Sequence, residues 1–286
     1  MKRILLLTDF SENAAHAARS VVMLGEKLHA DLLLLHNIAG IPVTPYHIGG
    51  GFVAEETSWQ MDESRGHLLE LTEQLEIMIG KLGSMSYNPV VHRQIAEGSL
   101  GENILTVVKQ QQIEMIVMGG RSGSAFDHLW FGNDTRSVIE QAGCPVMVIP
   151  QEHDLGTIKK VVFATDFNAG DMKAVKYLVK LGELFDFQLE IVHVSQFGKQ
   201  EGADDQKKLS FVSQVYKLNY PKIIYKDIRG KDFLARVDRL CGETGADLLA
   251  LVHYPHSFFS RLLQGSHTMK ALSRPHIPVL VFPGKN

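Results

Sequence analysis

KRILLLTDF at residues 2–10 and KKVVFATDF at 159–167 are near-copies of one another, and the likeness continues in order along the chain. ADLLLLHN at 30–37 answers to FQLEIVHV at 187–194, which places His36 with His193. EMIVMG at 114–119 answers to DLLALV at 247–252, and PVMVIP at 145–150 to PVLVFP at 278–283. Four matches in one order mean a duplicated unit. The 286 residues suit two domains of roughly 140. The first pair is offset by 157 positions and the last by 133, so the second copy is shorter by about 24 residues. Most of that deficit falls around residues 39–58. The seam lies in the short polar stretch 151–158, QEHDLGTI. The expected domains are 1–150 and 159–286.

Within each copy, short Val/Ile/Leu-rich runs alternate with longer stretches of helical period. The runs read as buried strands at 3–8, 31–37, 90–95, 114–119 and 145–149, then at 160–165, 187–193, 222–228, 247–252 and 278–282. Helices are predicted at 12–28, 59–82, 101–111 and 134–142, and again near 170–184, 205–218, 231–243 and 266–274. Ser11 stands where an N-cap belongs, and Ala15, Ala18, Val22 and Leu28 form the apolar stripe of the first helix. Leu68, Leu71, Leu75 and Met78 form a core stripe on the second. Strands alternating with helices imply right-handed crossovers and a parallel sheet. The fold class is therefore α/β, with two tandem doubly wound, five-stranded, Rossmann-like domains. Ligands of such sheets bind beyond the carboxyl ends of the strands, where the strand order reverses.

Composition narrows the function. The net charge of -3 gives no electrostatic reason to expect nucleic acid or an anionic membrane as partner. Cys144 and Cys241 cannot build a disulfide framework, which suits a reducing compartment. The apolar run Ile4–Leu7 stops at Thr8-Asp9, too short for a signal-peptide core, and no stretch approaches the ~20 apolar residues of a membrane span. A cytoplasmic protein is expected.

The loop after the fourth strand carries the main chemistry. It reads Gly119-Gly120-Arg121-Ser122-Gly123-Ser124 and continues to Gly132-Asn133-Asp134-Thr135, where a helix begins. Small residues let backbone N–H groups approach an anion, and a helix start adds free donors and a positive dipole end. Composition alone leaves two readings open, a phosphate cradle or a surface loop with a glycine turn. In the second copy the same region reads His253-Tyr254-Pro255-His256-Ser257-Phe258-Phe259. Histidines stand there at the glycine positions, and Pro255 has no N–H. Gly265 and Ser266 do keep the small residues at the helix start.

With these motifs the chain resembles a tandem universal stress protein, over nearly all of both copies. The signature of that family is Gly, two residues, Gly, nine residues, Gly, then Ser or Thr. Gly119, Ser122, Gly132 and Asn133 match its spacing, with Ser122 and Asn133 replacing the usual residue types, and Cys144-Pro145-Val146 follows as in the family. The resemblance implies an adenine nucleotide alpha hydrolase-like fold and ATP binding in the first copy. It implies phosphates on Gly119–Ser122 and on the helix start at Gly132–Asn133. Adenine would lie near Thr8 and Asp9, with Ile38 walling the base. Asp134 beside that site would repel phosphate unless Mg²⁺ or Arg121 intervened, so Mg²⁺ is expected with the nucleotide. The second copy is expected to be degenerate. The resemblance also implies pairing of the last strands, 145–149 with 278–282, as an intramolecular pseudo-dimer, and a homodimer is compatible with it.

Other constellations weigh less. Asp9 is read as a site residue and Asp166 as a helix-capping one. His36 and His193 are read as structural. The pair His253 and His256, with His267 and His276, lacks the Cys or carboxylate partners of a zinc site, and no metal site is expected. His47-Ile48-Gly49-Gly50 lies after the wrong strand for a nucleotidyl transferase motif. No P-loop, no G-x-G-x-x-G after the first strand and no G-x-S-x-G elbow is present. No base–nucleophile pair can be argued from spacing, so a sensor is expected rather than an enzyme, with slow ATP hydrolysis as a third reading. The alternative is an interaction module whose two sites have both decayed.

Overall fold

The computed structural model describes residues 1–39, 50–83, 86–120, 133–151, 153, 155, 158–195, 205–230, 233–254 and 277–284. Among these, the chain forms two compact units, one of 1–120 with 133–146 and one from Met147 onward.

The first half holds the strands β1 (Arg3–Thr8), β2 (Asp31–Ile38), β3 (Val91–Glu97), β4 (Ile113–Gly119) and β5 (Val146–Ile149). They alternate with the helices α1 (Glu12–Ser20), α2 (Val22–Leu28), α3 (Gly50–Lys81), α4 (Leu100–Gln110) and α5 (Asn133–Gln141). The strand order runs β3-β2-β1-β4 with parallel registers, Thr8 lying opposite His36 and Leu5 opposite Ile116. The Ile116 N–H donates to the Pro145 carbonyl at the mouth of β5, 2.9 Å away. Ile4, Leu5 and Leu6 are all buried. Successive strand residues point to opposite faces, so the sheet is covered on both. Edge strand β3, with His92, Arg93 and Gln94, is only half-buried.

The second half repeats the pattern with β6 (Lys160–Ala164), β7 (Gln188–Ser195), β8 (Ile223–Arg229), β9 (Leu248–His253) and β10 (Val279–Pro283). Its described helices are α6 (Asp171–Phe185), α7 (Asp205–Tyr216) and α8 (Phe233–Thr244). Its parallel order β8-β7-β6-β9-β10 is that of the first half. Duplication reaches the backbone angles. Phe10 and Phe167 have φ of 63° and 60°, and His29 and Asp186, also 157 residues apart, are left-handed helix ends.

Three local expectations are corrected. The helix predicted over 12–28 is two helices, meeting at Val21 (φ −101°, ψ 1°). The Ser20 hydroxyl donates to the His16 carbonyl at 2.8 Å, a back-bond that bends helices. The apolar stripe shifts with the break, Ala14, Ala17, Ala18, Val21 and Val22 being buried while Ala15 and Leu28 are not. The second helix begins at Gly50, nine residues before its expected start, and its core stripe closes on Ile79 rather than Met78. The length difference between the copies is therefore largely helical, 32 residues in α3 against 12 in α7. The helix expected at 266–274 lies outside the described residues.

Edge strand β3 is pinned by Asp31, the first residue of β2. Its carboxylate accepts from the Tyr87 hydroxyl (2.6 Å), the Val90 N–H (3.0 Å) and His92 Nε2 (3.3 Å). Burial pushes this carboxyl up, but the three hydrogen bonds and the His92 charge outweigh it and hold it below the usual carboxylate range. A depressed folded pKa stabilises above the unfolded value of about 4 and loses that contribution as pH falls through the folded one. Urea unfolding is expected to show Asp31→Asn costing about 1–3 kcal/mol at pH 7. That gap should close on acidification below pH ~4, where the wild type loses the same contribution.

Candidate functional site

The two Thr-Asp-Phe turns sit at the carboxyl end of the central strands. In the first, the Thr8 hydroxyl oxygen accepts the Phe10 N–H at 3.0 Å. Asp9 Oδ1 accepts the Ser11 N–H at 3.0 Å, and the Ser11 hydroxyl caps α1 through the Ala14 N–H at 3.3 Å. The turn throws Phe10 into the left-handed region and lays its ring against His36, 4.2 Å between centroids. The register of β1 with β2 brings His36 there, and its Nδ1 bonds the Thr8 carbonyl at 2.9 Å.

Above this pair lies a cavity of about 510 Å³. Asp9, Phe10, His36, Asn37, Ile38 and Ala39 line it from the strand ends. Gln60, Glu63, Ser64 and His67 line it from α3. Spacings of three, four and seven residues put those four on one face of the helix. His67 lies 5.1 Å from Phe10 ring to ring, and 3.8 Å from the carboxylates of both Glu63 and Glu70. Asn37 is held aside by bonds to the Gly98 carbonyl and from Asn103.

Of the sequence-derived residues, Asp9 and Ile38 line this cavity, while Thr8 is buried beneath it and spent on the turn. Gly119 ends β4, and a Cβ there would stand 2.6 Å from the backbone of Asn13. Close packing of β4 against α1 therefore explains this glycine without any ligand. Asn133 opens α5 and Asp134 is exposed in its first turn. Arg121, Ser122 and Gly132 lie outside the described residues, as do His47–Gly49 and, in the second half, Pro255–His276. His36, expected from the sequence to be structural, lines the cavity, and Phe10 and the α3 wall carry no expectation from the sequence. Polar residues at 60, 63, 64 and 67 that carry the Leu68–Leu71–Leu75 face on toward the helix N-terminus are the signal that marks that wall.

The second half builds the same floor and packs a further aromatic ring against it. Phe167 lies against His193 at 4.4 Å, but Phe211 of α7, 4% exposed, packs on Phe167 at 5.5 Å, with Tyr225 beyond it. Ser195 stands at the position of Ile38 and donates to Asp227 at 2.6 Å. Asp227 also binds Lys208 of α7. At the position of Ala14 stands Asp171, 2% exposed. It accepts from the Thr165 hydroxyl (2.6 Å), the Asp166 and Asn168 N–H groups and the Tyr254 hydroxyl (3.0 Å). Burial pushes this carboxyl up more strongly than those bonds pull it down. The Gly170 N–H donates to the Tyr254 oxygen at 2.8 Å, so the start of α6 is satisfied from within. Asp171 thus organises the turn that leads into α6. The register of β6 with β9 sets Val252 and His253 at the places of Gly119 and Gly120, as the match of 114–119 with 247–252 implies. Among the described residues no group of three His, Cys, Asp or Glu could hold a metal, and no helix is long and apolar enough to cross a membrane.

A parallel doubly wound sheet with a cavity at the carboxyl ends of β1 and β2 defines the class: a tandem Rossmann-like α/β protein. The model of the universal stress protein family matches the chain twice, at residues 1–150 and 157–283. The chain belongs to that family. A universal stress protein of Methanocaldococcus jannaschii is 23% identical over 148 residues, 52% of this chain and 81% of that protein. One from Synechocystis is 29% identical over 170 residues, 59% of this chain and 58% of that protein. A universal stress protein structure from Archaeoglobus fulgidus superposes with a TM-score of 0.71 at 19% identity, covering 98% of this chain and 96% of that one, a likeness of fold.

Two substitutions test the packing roles. Gly119→Ala is expected to cost about 1–3 kcal/mol in thermal unfolding with no ligand present, because its Cβ meets backbone. Tyr254→Phe should cost about 1–3 kcal/mol, since it strips a partner from both Asp171 and the Gly170 N–H.

Proposed function

We propose that this chain is an adenine-nucleotide-binding stress-response protein, acting in the cytoplasm as a sensor without turnover, and that its nucleotide site is in the first half. The observation that carries the reading is the contrast between the halves. One frame leaves a cavity of about 510 Å³ over Phe10 and His36, and the other buries Phe211 over Phe167. The cavity suits a base and ribose. Phe10 and His36 offer flat faces, Ile38 an apolar wall, and Asp9 a free carboxylate oxygen for ligand donors. ATP fits with its base over this floor and its phosphates toward Gly119, Arg121, Ser122, Gly132 and the N-terminus of α5 at Asn133, where helix-end donors favour an anion. Mg²⁺ would offset Asp134 there.

Calorimetric titration with ATP, ADP and AMP is expected to give one site per chain. Ala39→Trp, which places a ring in the cavity from an exposed position, should weaken binding by tenfold or more while leaving the unfolding temperature unchanged. Absence of saturation at millimolar nucleotide would overturn the reading in favour of an interaction module with two closed sites. Two sites per chain would overturn the assignment to the first half alone.

A further inference from the structure

We propose that Glu63 of α3 is a specificity-determining hydrogen-bond acceptor, reading the donor-bearing, uncharged part of the nucleotide in the first-half cavity. The inference rests on the nucleotide reading above. Ten described residues line the cavity; two are carboxylates, Asp9 and Glu63, and none is Lys or Arg. A carboxylate only accepts, so the ligand group that meets this wall has to present N–H or O–H. Like charge also turns phosphates away from it, so a nucleotide would enter with its phosphates at the opposite end, toward β4 and α5.

Glu63 is placed for this by its helix rather than by a loop. Gln60, Ser64 and His67 share its face of α3, and that helix packs against β2 and β3 through buried Leu68, Leu71 and Leu75. His67 Nε2 stands 3.8 Å from the Glu63 carboxylate, while its Nδ1 faces Glu70 at the same distance and its ring faces Phe10. The imidazole thus bridges the aromatic floor to the acidic wall. One Asp9 oxygen is already committed to the Ser11 N–H, whereas Glu63, exposed at the cavity rim, has its Oε1 3.8 Å from His67 Nε2 and is open to an incoming donor. In the second half the described helix α7 sets Phe211 against Phe167 instead.

Two parts of a nucleotide carry the required donors, the exocyclic amino group of the base and the ribose hydroxyls. Fluorescence or calorimetric titration of the full chain separates them with four ligands: ATP, purine riboside 5′-triphosphate, 2′-deoxy-ATP and 3′-deoxy-ATP. Glu63→Ala, an exchange that suits a helix, is expected to weaken ATP about fivefold to tenfold. The weakening should vanish for the one analogue that lacks the group Glu63 reads. Glu76→Ala, on the same helix and outside the cavity lining, should change none of the four. If Glu63→Ala leaves ATP unchanged, weakens all four ligands alike, or tightens ATP by removing a repulsive charge, the proposal is wrong and nucleotide binding stands. If the wild type binds none of the four, the nucleotide reading fails and takes this proposal with it.

Discussion

A bulky aromatic residue held in the left-handed backbone region is the constraint on which each half of this molecule is organised. For an L-residue other than glycine that conformation costs about 1 kcal/mol or more. Both halves keep it, at Phe10 and at Phe167. A threonine two residues earlier accepts the Phe N–H in each case, which ties the turn to the end of the central strand. The ring then lands on a histidine delivered by the parallel register of the next strand. The strain is offset by closing the top of the sheet with a flat aromatic surface. Whatever lies above that surface decides what the half can do.

The two halves give opposite answers from one frame. In the first, α3 presents glutamine, glutamate, serine and histidine across a gap, and the threonine-anchored turn is left open. In the second, α7 brings Phe211 down onto the floor, and Lys208 ties the helix to Asp227. The buried Asp171 gathers the turn and Tyr254 around itself. Three residues set the second half apart, Ser195 at the place of Ile38, Asp171 at the place of Ala14, and Phe211 on the helix face, and each has a partner within its own half. Gly119 belongs to a different account, since the backbone of Asn13 leaves no room for a side chain there.

Much of this frame was legible in the chain itself. Strands such as ILL at 4–6 and VVFA at 161–164 are buried on both faces, so they stand out as apolar runs whatever surrounds them. The duplication was legible for the same reason. The break at Val21 was not, because it comes from one serine hydroxyl competing for a carbonyl inside an otherwise regular helical pattern. The early start of α3 was hidden by Gly50 and Gly51, which argue against helix locally and are overruled by the helix they join. The left-handed phenylalanine was illegible because nothing in its residue type announces it; only its repetition at an offset of 157 could have. Asp9 and Ile38 could be named in advance through the family resemblance. The α3 wall could have been read directly, as the polar N-terminal continuation of a leucine face.

Hydrogen–deuterium exchange of the intact chain, with and without saturating ATP, tests the central claim most directly, because it maps the site without altering a residue. The account requires slowed exchange in peptides covering 8–11, 36–39 and 60–67, with peptides covering 165–168, 193–195 and 208–213 unchanged. Protection confined to the second-half peptides, or no protection in either set, would contradict it.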